Sequence, residues 1–116
     1  YCTLKMAPGL GILGEVIVDQ HFAQRGRTGR LLTAVAQNPH MLGVGIDEDT
    51  AILVGSSSFT VIGSQTVTVI DGMYLSHTNV SELKPSEPLV LTDIKLHILP
   101  RGYGLDLISR KPILKK

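Results

Sequence analysis

Gly14-Glu-Val-Ile-Val-Asp-Gln-His-Phe-Ala-Gln-Arg-Gly-Arg-Thr-Gly-Arg30 decides how the chain is read. It opens as an apolar strand over 15–19, centred on Val16-Ile17-Val18, and breaks into polar residues at Asp19-Gln20-His21. A short apolar run without alternation is the pattern of a strand buried on both faces. Arg25, Arg27 and Arg30 follow, and a helical pattern then begins. In open α/β sheets, ligands bind just beyond the carboxyl ends of the strands. A histidine and arginines at such a point place a base beside a pocket for anions. The plain alternative is a solvated strand-to-helix loop with a basic rim.

Outward from that stretch, Leu31, Leu32, Val35 and Ala36 recur at helical spacing and predict a helix over 28–38. Thr28 is its expected N-cap, and Asn38-Pro39 its stop signal. The helix amino end then opens into the loop that holds His21, and its free N–H groups add to the arginines in holding an anion. A second apolar run, 41–46, ends in Asp47-Glu48-Asp49. Strand, helix and strand within about 35 residues is the size of a βαβ unit. The crossover rule puts both strand ends on one edge, where His21 and the acidic trio can meet.

After Thr50 the pattern turns β-rich. Runs at 51–54, 59–62 and 66–70 stand at hairpin spacing, and alternation in the third predicts a half-exposed strand. Residues 81–88 read as a surface loop, 89–91 and 94–99 as strands, 100–104 as a turn and 105–108 as a final edge strand. Residues 1–13, with Pro8, Gly9 and Gly11, read as a loop feeding the first strand. The fold class is α/β in one domain, since 116 residues build one modest core and not two.

Eleven basic against ten acidic residues leave a net charge of +1, which gives no argument for nucleic acid or a membrane surface. Two phenylalanines and no tryptophan make no stacking platform for single strands. Arginine, which fills the first basic cluster, favours bidentate recognition of carboxylates. Cys2 is the only cysteine, so no internal disulfide or thiolate zinc site is expected, and a cytoplasmic location fits. No apolar run reaches the length of a membrane span. The chain starts Tyr1-Cys2-Thr3 without an initiator methionine and is expected to be a piece of a longer protein.

A histidine at one strand end and an acid at the next suit a nucleophile–base–acid relay. A metal site of His21, Asp47 and Asp49 is the rival, weakened by the lack of a second suitably placed histidine or cysteine. An exposed acidic turn is the plain reading. Ser56, Ser57 and Ser58 are nucleophile candidates by residue type alone; they lack the Gly-x-Ser-x-Gly elbow and read as a hairpin loop. His40, His77 and His97 show no partner pattern, and His97, in an apolar strand, reads as structural.

Asp19-Gln-His-Phe-x-Gln-Arg-Gly-Arg-x-Gly-Arg30, then Leu31-Leu, Asn38-Pro39 and Gly43-x-Gly-Ile-Asp-Glu-Asp-Thr-Ala51, resembles the C-terminal half of the cyanophycinases. Val67-x-Val-x-Asp71-Gly72 and Lys95-Leu-His-x-Leu-Pro-x-Gly-Tyr103 extend the resemblance over nearly the whole chain. The resemblance implies a serine peptidase with a class I glutamine amidotransferase-like (flavodoxin-like) sandwich, of which this chain is the C-terminal half with a β-rich end. The substrate implied is cyanophycin, a polyaspartate bearing arginine on each side-chain carboxyl, cut to β-aspartyl-arginine dipeptides. His21 matches the family's general base and Glu48 the acid that orients it. Asp19, Gln20, Arg25, Arg27 and Arg30 match the substrate pocket, in which the arginines are expected to bind carboxylates and Asp19 a guanidinium. The family's nucleophile is a serine in a Gly-rich strand-to-helix turn of the N-terminal half, and no such turn occurs here. No cofactor or metal is implied, and a homodimer is expected because the β-rich half has edges to cover. An aspartyl dipeptidase and a non-catalytic chain that binds an aspartate-rich polymer are the alternatives.

Overall fold

The computed structural model describes residues 2–5, 15–20 and 27–115. Strand β1 (Cys2–Lys5) runs antiparallel to β2 (Glu15–Gln20). Helix α1 (Arg27–Gln37) follows, and β3 (Leu42–Ile46) returns parallel to β2, with Val16 opposite Leu42 and Gln20 opposite Ile46. This is the expected βαβ unit. The chain continues through β4 (Thr50–Val54), β5 (Ser58–Gly63) and β6 (Thr66–Asp71). A two-residue pair, β7 (His77–Thr78) with β8 (Leu91–Thr92), brackets the exposed loop. The last strands are β9 (Lys95–Pro100), β10 (Gly104–Asp106) and β11 (Pro112–Ile113).

Two sheets result. The first is mixed, in the order β1-β2-β3-β6-β9, and the second is antiparallel, in the order β11-β10-β5-β4. Alternation along each strand sorts its side chains between two layers. Val16, Val18, Leu42, Val44, Val67 and Val69 meet Phe59, Val61 and Leu105 of the second sheet. On the opposite face Ile17 and Ile70 meet Leu31, Ala34 and Val35 of α1. Each such aliphatic side chain, fully buried, contributes about 1.5–3 kcal/mol. Gly43 lets α1 approach β3: a Cβ there would lie 2.7 Å from Val35 Cγ2. The α/β class holds, as a mixed sheet with a helix on one face and a second sheet on the other.

Several expectations need correction. Residues 2–5 form β1 rather than loop, while 6–14 lie outside the described residues. The helix begins at Arg27, so Thr28 stands in its first turn and does not cap it. The strand over 66–70 is not half-exposed. β6 lies between β3 and β9, and both of its faces are covered, one by the second sheet and one by the helix layer. For the same reason, of those three runs only β4 and β5 make a hairpin; β6 leaves for the other sheet. Residues 89–91 contribute only Leu91, to β8. The strand expected at 105–108 is β10, and it is interior, held between β5 and β11. No helix among the described residues is long and apolar enough to cross a membrane.

Candidate active site

The parallel register brings the carboxyl ends of β2 and β3 to one edge of the mixed sheet. A cavity of about 340 Å³ opens there, with Val18, Ile46, Ile52 and Val54 among its apolar lining and Gln20, Asp47, Glu48, Asp49 and Thr50 among its polar lining. Pleating decides which polar residue of β2 reaches it. Val16, Val18 and Gln20 share the face toward the second sheet; Ile17 and Asp19 share the face toward α1.

Asp19 is therefore fully buried beneath the helix, where Arg30 Nη2 donates to its Oδ1 at 3.1 Å. The Arg30 side chain remains 45% exposed. Asp19, expected to meet a substrate guanidinium, meets the guanidinium of Arg30. The pair ties the first turns of α1 to the end of β2, directly beside the cavity-lining Gln20. Arg27 is the first residue of the helix, and the structure describes only its backbone. His21 and Arg25 lie outside the described residues.

The acidic trio splits into three different environments. Asp47 is half-buried and turns back on the start of β6: its Oδ2 accepts from the Thr66 hydroxyl at 2.8 Å and from the Thr66 N–H at 3.2 Å. Glu48 is exposed, and all three residues line the cavity. Asp49 adopts a left-handed backbone, φ 54°, and its carbonyl accepts from Ser64 N–H at 2.9 Å. Of the rival metal set, Asp47 and Asp49 line the one cavity and His21 lies outside the described residues; among the described residues no group of three or more metal-ligating side chains forms. The middle residue is held between two neighbours with structural tasks.

The remaining candidates stand apart. Ser56 and Ser57 occupy the β4–β5 turn, closed by Gly55 N–H donating to the Ser58 carbonyl at 2.7 Å. His97 sits on β9, facing Val69 in the sheet register and away from the cavity. His40 is exposed, and its carbonyl accepts from Arg110 Nη2 at 2.6 Å. Two residues that the sequence reading passed over support the site, Thr66 and Gly63. Gly63 has φ 107°, and a Cβ there would lie 2.2 Å from the Asp49 carbonyl oxygen. A glycine between two β runs was a visible turn signal; that the turn props the acidic one was not, because the two are far apart in sequence.

No family model matches the chain. Curated relatives do. The chain is 50% identical over 111 residues to a cyanophycinase of Geminocystis herdmanii, covering 95% of this chain and 41% of that protein. It is 47% identical over 108 residues to a cyanophycinase of Trichormus variabilis, covering 92% of this chain and 36% of the relative. A cyanophycinase of Synechococcus elongatus is 45% identical over 100 residues, with 85% of this chain and 31% of the relative covered. The chain thus spans between about a third and two fifths of the length of the relatives it matches. With identity at that level across most of its residues, and with the site-bearing βαβ unit inside the match, this chain belongs to the cyanophycinase family.

Proposed function

We propose that the chain is the base- and acid-bearing part of a serine peptidase that degrades cyanophycin to β-aspartyl-arginine dipeptides. The rest of the full-length protein, expected on the N-terminal side, supplies the nucleophile and completes a class I glutamine amidotransferase-like sandwich. One observation carries the reading. The β2–β3 register sets Gln20, the residue before His21, and Glu48 on one cavity at the edge where a parallel sheet presents its ligands. The relatives' name supplies the substrate.

The reaction follows from those roles. A serine Oγ attacks the carbonyl of a backbone amide between two aspartates, leaving the β-aspartyl-arginine bond intact, while His21 takes the hydroxyl proton. His21 returns that proton to the leaving amine as the C–N bond breaks. Water then attacks the acyl-enzyme, giving its proton to His21, and the serine is regenerated with that proton. Glu48 holds the imidazole in the tautomer that accepts from the serine. Arg25 and Arg27 bind substrate carboxylates bidentately, as guanidinium geometry favours. Arg30, half-exposed, serves the same pocket while bracing Asp19. The working unit is a homodimer: Leu96 and Ile98 of the edge strand β9, opposite Ile70 and Thr68 in register, are 48% and 61% exposed, an apolar patch on the helix side of the sheet that a second copy would cover.

The test uses the full-length protein and cyanophycin. His21→Ala is expected to lower turnover by roughly 10⁴–10⁶-fold, as loss of a triad base does. Near-normal turnover would overturn the assignment. Binding of the polymer with no dipeptide released by the unmutated protein would favour the non-catalytic alternative, and release confined to dipeptide substrates would favour an aspartyl dipeptidase.

A further inference from the structure

We propose that Thr66 is a positioning residue for Glu48, acting through the turn that carries it. The inference rests on the reading of Glu48 as the acid that orients His21. The turn is fixed on both sides of Glu48 and at Glu48 itself. Before it, Asp47 N–H donates to the Thr66 carbonyl at 3.2 Å. Thr66 answers with its N–H and hydroxyl on Asp47 Oδ2, at 3.2 and 2.8 Å. After it, the Asp49 carbonyl accepts from Ser64 N–H at 2.9 Å. At Glu48, the backbone carbonyl accepts from the Thr50 hydroxyl at 3.0 Å, and Thr50 Oγ1 in turn accepts from Gln65 N–H at 3.1 Å.

The β3–β4 and β5–β6 connections are thus bonded together residue by residue, and Glu48 stands between the bonded residues on the lining of the cavity. A catalytic group is useful only within about 0.5 Å and 10–20° of its productive geometry, and its rigidity comes from neighbours held by hydrogen bonds. Thr66 is the neighbour that contributes a carbonyl, an N–H and a hydroxyl to one aspartate. Valine keeps the shape of threonine and removes only the hydroxyl, which carries the shortest of those bonds. Asp47 would then lose its best donor while staying half-buried, and the turn would be free to tilt.

The experiment is a double-mutant cycle in the full-length enzyme with cyanophycin as substrate, made from Thr66→Val, Glu48→Gln and both together. Thr66→Val is expected to lower kcat by about 10–100-fold, in keeping with a small misplacement of a catalytic group, with KM little changed. Thr66→Ser, which keeps the hydroxyl, should restore turnover. In the Glu48→Gln background, Thr66→Val should add almost nothing, because the two residues act as a unit. A loss that multiplies in full in that background would mean general damage and overturn the proposal. So would unchanged kcat in Thr66→Val beside a clear loss in Glu48→Gln. If Glu48→Gln itself retained turnover, the acid assignment would fall first, and the positioning role with it. Should Thr66→Val not fold, Asp47→Asn takes its place in the cycle: it keeps one acceptor oxygen and removes the charge, and the same non-additive loss is required of it.

Discussion

The two ends of the β3–β6 pair use an aspartate in opposite ways. At the cavity end, Asp47 accepts from neutral donors of a single residue, Thr66, and stays half-buried. At the far end, Asp71 is 5% exposed and takes a charge: Arg110 Nη1 donates to its Oδ1 at 2.8 Å, and Met73 N–H donates to the same oxygen at 3.0 Å. Arg110 also reaches the His40 carbonyl, so one side chain ties the C-terminal segment to the end of β6 and to the turn before β3. The difference teaches how the load is divided. The far end is closed by a buried ion pair across 39 residues of sequence, and nothing there faces the cavity. The cavity end is fastened by modest neutral-donor bonds that leave the adjacent Glu48 exposed.

The sharpest way to break this contrast is Arg110→Met. It strands the Asp71 carboxylate in a buried place, and losing one partner of such a pair costs about 3–5 kcal/mol. Urea unfolding should show that loss, while kcat per folded molecule stays at the wild-type value. A cost below about 1 kcal/mol would mean that the pair behaves like a surface one and does not close the fold.

Gly63→Ala sharpens the other side. Its φ of 107° and the 2.2 Å approach to the Asp49 carbonyl force the backbone to move. An intermediate cost of about 1–3 kcal/mol is expected. Unlike Arg110→Met, it should lower kcat as well, since the strained segment supports the Glu48 turn. Reduced stability with undiminished kcat would detach that turn from catalysis.

The smallest effect belongs to Asp106, whose carboxylate accepts from the backbone N–H groups of Ser109 and Ile108, both at 2.9 Å, and so braces the turn that delivers Arg110. Those bonds hold its pKa below the ordinary 3.8. A lowered pKa in the folded state means a stabilising contribution that is complete above the ordinary value and fades as pH falls through the lowered one. Asp106→Asn should therefore lower Tm slightly at neutral pH, and the two melting curves should begin to converge as pH falls below 3.8 and meet below the lowered pKa. A difference that persisted unchanged into that acid range would remove the carboxylate's charge from the account.

The βαβ unit was legible because its signals are local. Val16-Ile17-Val18, the helical spacing of Leu31 and Val35, and the run ending at Ile46 each fit one element, and the handed crossover leaves few ways to join them. The acidic trio after β3 was equally visible as a group. Its division of labour was not. Asp47, Glu48 and Asp49 differ only in what residues 63–66 offer them, and no local pattern announces a hydrogen bond across 19 positions. The burial of β6 was misread for a related reason: Thr66 and Thr68 suggest a wet face, yet the strand lies mid-sheet with a layer on each side.

Residue order alone therefore determined the class of fold, the edge at which the strands end and the family whose motif the chain carries. Those follow from periodicity and from runs of residue types, which act over a few positions at a time. Tertiary structure alone decided that Asp19 lies under Arg30, that Gln20 and Glu48 share a cavity, and that Thr66 and Arg110 each hold an aspartate from far along the chain. Pleat, register and layer packing set those partners, and each depends on contacts that exist only once the sheets have closed on their core.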